Sequence, residues 1–122
     1  MKILMPSDDG KLISSHFGRT RGFLIFEIQD NKILNKEYIP NTITGHGRGM
    51  HEIGSHNYSS HAGIIDAIKD VQVVISHGMG RRLYDDLKNA GKEVYVTDTI
   101  NPEEAIELYL NGKLISIEDL LD

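Results

Sequence analysis

The sequence predicts a single α/β domain, a mixed β-sheet with helices packed on it. Three observations carry that prediction. Short apolar runs flank a hairpin signal before residue 41. From residue 61 helical and β-branched stretches alternate, the pattern of parallel strands joined by crossovers. A length of 122 residues suits one core and leaves no room for two, so residues 1–122 read as one domain. A chain this long buries roughly two-thirds of its unfolded surface, enough to fold without disulfides or a structural metal. Any metal it takes up is then functional.

The elements follow in order. Ile3-Leu4-Met5 is a continuous apolar run stopped by Pro6 and Ser7-Asp8-Asp9-Gly10, a buried strand entering a turn. Phe23 to Ile28 and Lys32 to Ile39 flank Asp30-Asn31, a pair tolerant of positive φ, which predicts a tight hairpin ending at Pro40. Residues 41 to 60 carry Gly, Asn, Ser and His without apolar periodicity and read as a long loop of the kind that usually carries function. Ile64, Ile65 and Ile68 form a helical stripe after a Ser59 or Ser60 cap, and Val71 to Ser76 is a β-branched strand. Gly78-Met79-Gly80 then opens a helix with Leu83, Leu87 and Ala90 on one face, ended by Gly91. Glu93 to Thr97 is a strand, and Asn101-Pro102-Glu103-Glu104 starts the last helix, with Asn as cap and Pro at the first helical position, before Gly112 stops it. That makes five strands and three helices, a meander leading into two crossover units.

Composition narrows the chemistry. Eighteen acidic residues against thirteen basic ones give a net charge of −5, with the cations scattered, which argues against nucleic-acid binding. The absence of cysteine removes a thiol nucleophile, a thiolate zinc site and an all-cysteine iron–sulfur site. Met1 to Pro6 is too short an apolar run for a signal peptide, and no stretch reaches membrane-spanning length. The expected protein is soluble and cytoplasmic, with no membrane partner.

Ligands of open α/β sheets lie beyond the carboxyl ends of the parallel strands, where strand order reverses. Those ends deliver Asp8 and Asp9 from the first strand, His77 and Gly78-Met79-Gly80 from the strand at 71 to 76, and Asp98 from the strand at 93 to 97. The glycine turn into a helix presents backbone N–H groups and the positive end of a dipole to an anion, or else merely makes a tight turn. Histidine supplies most of the other metal chemistry. His46, His51, His56 and His61 recur every five residues, a period that keeps neither a helix face nor a strand face. They form either an irregular metal-binding loop, with Met50 and Met79 as soft additions, or a solvated one. His16 and His77 stand apart.

Several motifs fail. The dinucleotide fingerprint is half present, with Asp98 twenty residues after Gly78 but Leu83 at the third glycine. Walker A is absent, since Gly49 to Gly54 is followed by Ser55-His56, and no HExxH zinc motif or GxSxG elbow occurs. A magnesium nuclease built on Asp8, Asp9 and Asp98 lacks the basic groove it needs.

Taken together, Ser7-Asp8-Asp9-Gly10, His16-Phe17-Gly18, Phe23 to Ile28, Val73 to Gly80, and Leu87 to Gly91 with Val94-Tyr95 resemble the dinitrogenase iron-molybdenum cofactor biosynthesis family, which includes NifX, the C-terminal domain of NifB and the nitrogenase accessory-factor core. The likeness spans nearly the whole chain. It implies a ribonuclease H-like three-layer fold whose five-stranded sheet has the order 3-2-1-4-5, strand two antiparallel to the rest. It also implies a carrier of the iron-molybdenum cofactor, its iron–sulfur precursor or a molybdenum-containing sulfide cluster, working with cluster donor or acceptor proteins and turning over no substrate. Carried over, His16 is the cluster-contacting histidine of the family's HFG motif. His77 departs from the pattern, standing where many members have a small residue.

The leading expectation is a non-enzymatic carrier of an anionic metal–sulfur cluster. His16 and His77 serve as ligands, backbone N–H groups of Gly78, Met79 and Gly80 face the sulfides, Asp8 and Asp9 border the cleft, and the loop histidines capture or gate. A nucleotide or phosphometabolite binder using the same glycine turn is the alternative, and a zinc or nickel chaperone built on the histidine loop is a third.

Overall fold

The computed structural model describes residues 1–41 and 68–121. The histidine loop with His46, His51, His56 and His61, and the helical stripe at Ile64 and Ile65, lie outside the described residues. Within them the chain forms β1 (Lys2–Ser7), β2 (Gly22–Gln29), β3 (Lys32–Pro40), β4 (Val73–Ser76), α1 (Arg81–Asn89), β5 (Glu93–Val96) and α2 (Pro102–Leu110), with a 3₁₀ turn at Glu118–Leu120.

The five strands form one sheet in the order β3-β2-β1-β4-β5. β2 is antiparallel to both β1 and β3, while β1–β4 and β4–β5 are parallel. The expected order and the expected odd strand are both present. Asp30 and Asn31 take φ of 54° and 63°, which is what a two-residue hairpin turn matched to strand twist requires.

Pro6 does not end β1 as expected; it pairs with Phe23 inside the strand. The register explains why. Met1 and Ile28 exchange both backbone bonds, at 3.1 and 2.8 Å. Alternation then puts Pro6 at a position with no hydrogen bond to β2, where its missing N–H costs nothing on that side. β4 pairs only with Ile3 and Leu4, so the other side loses no ladder bond either.

Ile3, Leu4 and Met5 are all fully buried because β1 is covered on both faces. Leu4 points to a cluster with Phe23, Val74 and the inner face of α1, whereas Ile3 and Met5 point to one with Phe26, Ile75 and Ile106 of α2. The result is three layers, helix on sheet on helix. α1 buries Leu83, Tyr84 and Leu87. Ala90, expected on that face, is the exposed cap residue, and Tyr84 takes its place.

Both helices end in the same way. Gly91 and Gly112 adopt φ of 87° and 71°, and the residue after each donates back to the carbonyl of Leu87 (3.1 Å) and Leu108 (2.8 Å). α2 starts as its sequence predicts, with Asn101 accepting from the Glu104 N–H at 2.9 Å and Pro102 in the first turn. Where the chain re-enters the described region, the Lys92 ammonium donates to the carbonyls of Ile68 (2.9 Å) and Val71 (2.6 Å) and fixes the approach to β4. Among the described residues no helix is long and apolar enough to cross a membrane.

Candidate functional site

β1 and β4 run side by side in parallel, yet β1 continues to β2 on one flank and β4 to β5 on the other. Their carboxyl ends therefore open at the point where strand order reverses. The segment following β1 crosses these ends and is pinned at each. Ile13 N–H donates to the Ile100 carbonyl at 2.8 Å, Ser14 N–H to Pro6 at 2.7 Å, and the Ser14 carbonyl accepts from the His77 N–H at 3.2 Å. Phe17 is the anchor. It is 2% exposed, packs 5.1 Å from the Phe23 ring, and draws the chain inward just after His16.

His16 is consequently exposed, with its backbone N–H held by the Ser14 hydroxyl at 3.0 Å. His77 is half-buried, and its Nδ1 lies 2.8 Å from the Thr97 carbonyl. A carbonyl can only accept, so Nδ1 carries the proton and Nε2 keeps its lone pair in the neutral ring. Metal-ligating histidines are commonly oriented in this way by a carbonyl behind them. Ser14 thus ties both histidines to one end of the sheet. Thr97, whose own N–H donates to Ser76 at 2.9 Å, is a participant that sequence reasoning missed, because a backbone acceptor leaves no residue-type signal.

The glycine turn has three separate roles. Gly78 is buried against the crossing segment; a Cβ there would stand 2.8 Å from the Ser15 carbonyl oxygen. Its N–H lies 3.3 Å from the Ser76 hydroxyl, so that donor is already engaged. Met79 is 2% exposed and packs in the core cluster with Leu83 and Phe17. Gly80 is the N-cap of α1 and offers no side-chain cap, which leaves the first N–H groups of the helix for water or a ligand.

Asp8 and Asp9 each hold the loop through one carboxylate oxygen. Asp8 Oδ1 accepts from the Arg21 N–H at 3.0 Å, and Asp9 Oδ1 from Lys11 (2.8 Å) and Leu12 (3.0 Å). The Leu12 and Lys11 amides hold the Asp9 carboxyl below the usual carboxylate range although it is exposed. A carboxylate lowered by folding contributes stability above its unfolded value, about 3.9, and loses it as pH falls through the folded value. The Lys11 and Leu12 amide resonances should therefore titrate at a lower pH than those beside an ordinary aspartate. Movement at the ordinary carboxylate midpoint would show that these bonds do not form.

The charges at this end are unusual. The four described arginines all lie here, Arg19 and Arg21 ahead of β2 and Arg81 and Arg82 opening α1, all exposed and none in an ion pair among the described residues. The first turn of α1 holds no acidic residue. Two cations at a helix N-terminus oppose the dipole, which favours anions there. Asp98, at the end of β5, is exposed. Among the described residues no three His, Asp or Glu side chains converge as a metal-ion site.

Known proteins share this architecture. The protein MJ0580 of Methanocaldococcus jannaschii is 38% identical over 118 residues, which cover 97% of this chain and 92% of that one. Among solved structures, PH0822 is 26% identical with a TM-score of 0.69, covering 98% of this chain and 97% of its own. The apo form of the orange protein from Desulfovibrio gigas has a TM-score of 0.67 at 16% identity, covering 95% and 92% of the two chains, a likeness of fold alone. The family model for dinitrogenase iron-molybdenum cofactor proteins matches residues 1–112, so the chain belongs to that family, whose members are concerned with the biosynthesis or binding of this cofactor.

Proposed function

We propose that this protein is a non-catalytic carrier that holds an anionic metal–sulfur cluster at the ends of β1 and β4. The cargo is the iron-molybdenum cofactor, its iron–sulfur precursor or a related molybdenum–sulfide cluster, with His16 and His77 as its protein ligands. The observation that carries this reading is the His77 ring, oriented by Thr97 so that Nε2 is left as a lone-pair donor in the neutral, metal-competent form. The anion is supported independently by Arg81 and Arg82, which put two cations beside the uncapped, positive end of α1. A cluster brings its own sulfides and needs few protein ligands, in keeping with two histidines rather than a three-residue cage. His46, His51, His56 and His61 would add capture contacts, and transfer to and from donor or acceptor proteins would complete the cycle.

A nucleotide or phosphometabolite binder is the second reading. The same uncapped helix start with its arginines favours it, with Asp98 on a ribose. Protein purified anaerobically from its native host separates the two. Molybdenum or iron in company with acid-labile sulfide, and a visible charge-transfer colour, is the expected result. Colourless protein carrying a nucleotide would replace the first reading with the second.

A further inference from the structure

A shallow groove of about 580 Å³, lined by neither His16 nor His77, lies between the start of β3 and the outer side of α2. Its size falls within the range of ligand clefts, about 300–1,000 Å³. Its floor is apolar, made by Ile33, Ile106 and Leu110, and its rim carries Glu103, Glu104 and Glu107 against the single ammonium of Lys32. Most of this lining is exposed, so a small molecule would keep much of its surface in water.

Beside the groove runs an edge strand. β3 ends the sheet order, and eight of its nine residues are exposed. The Asn41 N–H donates to Arg21 at 2.9 Å, and alternation from that pair turns the backbone N–H and C=O of Lys36 and Tyr38 away from β2. No described residue pairs with them. A bulge in the β2–β3 pairing lies next to Leu34, and Leu34 and the groove residue Ile33 are 56% and 41% exposed.

We propose that this groove and edge together dock an extended, lysine- or arginine-bearing segment of a protein partner. The segment adds to the sheet as a sixth strand alongside β3, its apolar side chains on Ile33 and Leu110 and its cations on Glu104 and Glu107. Glu103 is partly committed, since Lys36 holds it at 2.9 Å, so the two other carboxylates carry the recognition. Strand addition takes its affinity from backbone bonds and its selectivity from alternate side chains. A second copy of this chain is a poor occupant, because its net charge of −5 would bring more acid to an acidic rim.

The probe is a synthetic eight-residue peptide with lysine and valine taking turns at every second position and serine between them, so that both kinds of side chain share one strand face; it is titrated into the full chain and followed by amide NMR shifts. Expected are shifts at Lys36, Tyr38, Glu104 and Glu107, weakening with added salt. The double variant Glu104→Gln/Glu107→Gln should bind at least tenfold more weakly. On the wild type, a peptide N-methylated on alternate backbone nitrogens should lose at least tenfold as well, which tests the edge without altering the protein. Equal binding of the same peptide with glutamate in place of each lysine, equal binding of the N-methylated peptide, shifts confined to other surfaces, or a sedimenting dimer that masks β3 would each overturn the proposal.

Discussion

Replacing Gly78 with alanine should lower the melting temperature by roughly 6–15 °C, a loss of about 2–3 kcal/mol for a chain of this size. The added methyl would stand 2.8 Å from the Ser15 carbonyl oxygen. That oxygen belongs to the backbone of a segment fixed by Ile100, Pro6 and His77, so it has no rotamer through which to escape. Either the segment retreats or the turn after β4 does, and overpacking of this kind usually costs 1–3 kcal/mol. Both routes break the 3.2 Å bond from the His77 N–H to Ser14 and separate the loop that carries His16 from the turn that carries His77. Cluster binding should fall with stability. Gly80→Ser is the contrast. Nothing lies within 4 Å of a Cβ at that position, its φ of −67° and ψ of 145° are ordinary, and serine is a better helix cap than most residues. Its melting temperature should match the wild type or rise slightly. Circular-dichroism melts of the two variants decide the matter, and an unchanged melt for Gly78→Ala would remove the close approach on which the shared site depends.

The parts of the fold legible in the sequence are those whose cause is local. Asp30-Asn31 specifies its own turn, Asn101-Pro102 its own helix start, and Gly91 and Gly112 their own stops, since each works through its own φ or its own side chain. What depended on neighbours was harder to read. Whether Pro6 ends a strand is settled by its register against Phe23, and whether Met79 faces a ligand or the core is settled by how α1 lies on the sheet. The same holds for the site. His16 and His77 can be picked out by position, but Ser14, which ties them together, and Thr97, which turns one of them, act through backbone carbonyls and hydroxyls found everywhere in a chain. Asp8 and Asp9 could be placed at the cleft from their position after the first strand, but not their bonds to the backbone of Arg21, Lys11 and Leu12, which hold the loop through one oxygen of each carboxylate.

Among single substitutions, His16→Ala should weaken cluster binding most, by at least tenfold, with His77→Ala second and any one change at His46, His51, His56 or His61 least. The ranking follows from commitment to a fixed geometry. His16 rides on a segment anchored by Phe17 and Ser14 and has its ring exposed to a ligand, while His77 is already oriented by the Thr97 carbonyl. The five-residue spacing of these histidines keeps no two successive ones on a regular face, so each contact there is replaceable. Alanine at 77 also removes a hydrogen bond, so a loss there alone would not separate ligation from support. His77→Asn does so. The asparagine amide nitrogen can stand where Nδ1 does and donate to Thr97, but nothing replaces Nε2. That variant should melt like the wild type and still bind the cluster poorly. Acidification should act in the same direction on the wild type, because a protonated imidazole has no lone pair for a metal. The measurement is an anaerobic titration of apo-protein with an iron–sulfur or thiomolybdate-type cluster, read by its visible charge-transfer absorption. If His77→Asn binds like the wild type, His77 is a support and not a ligand. If His16→Ala also binds normally while the loop variants lose the absorption, the cargo sits on the loop and the strand-end site does not hold it.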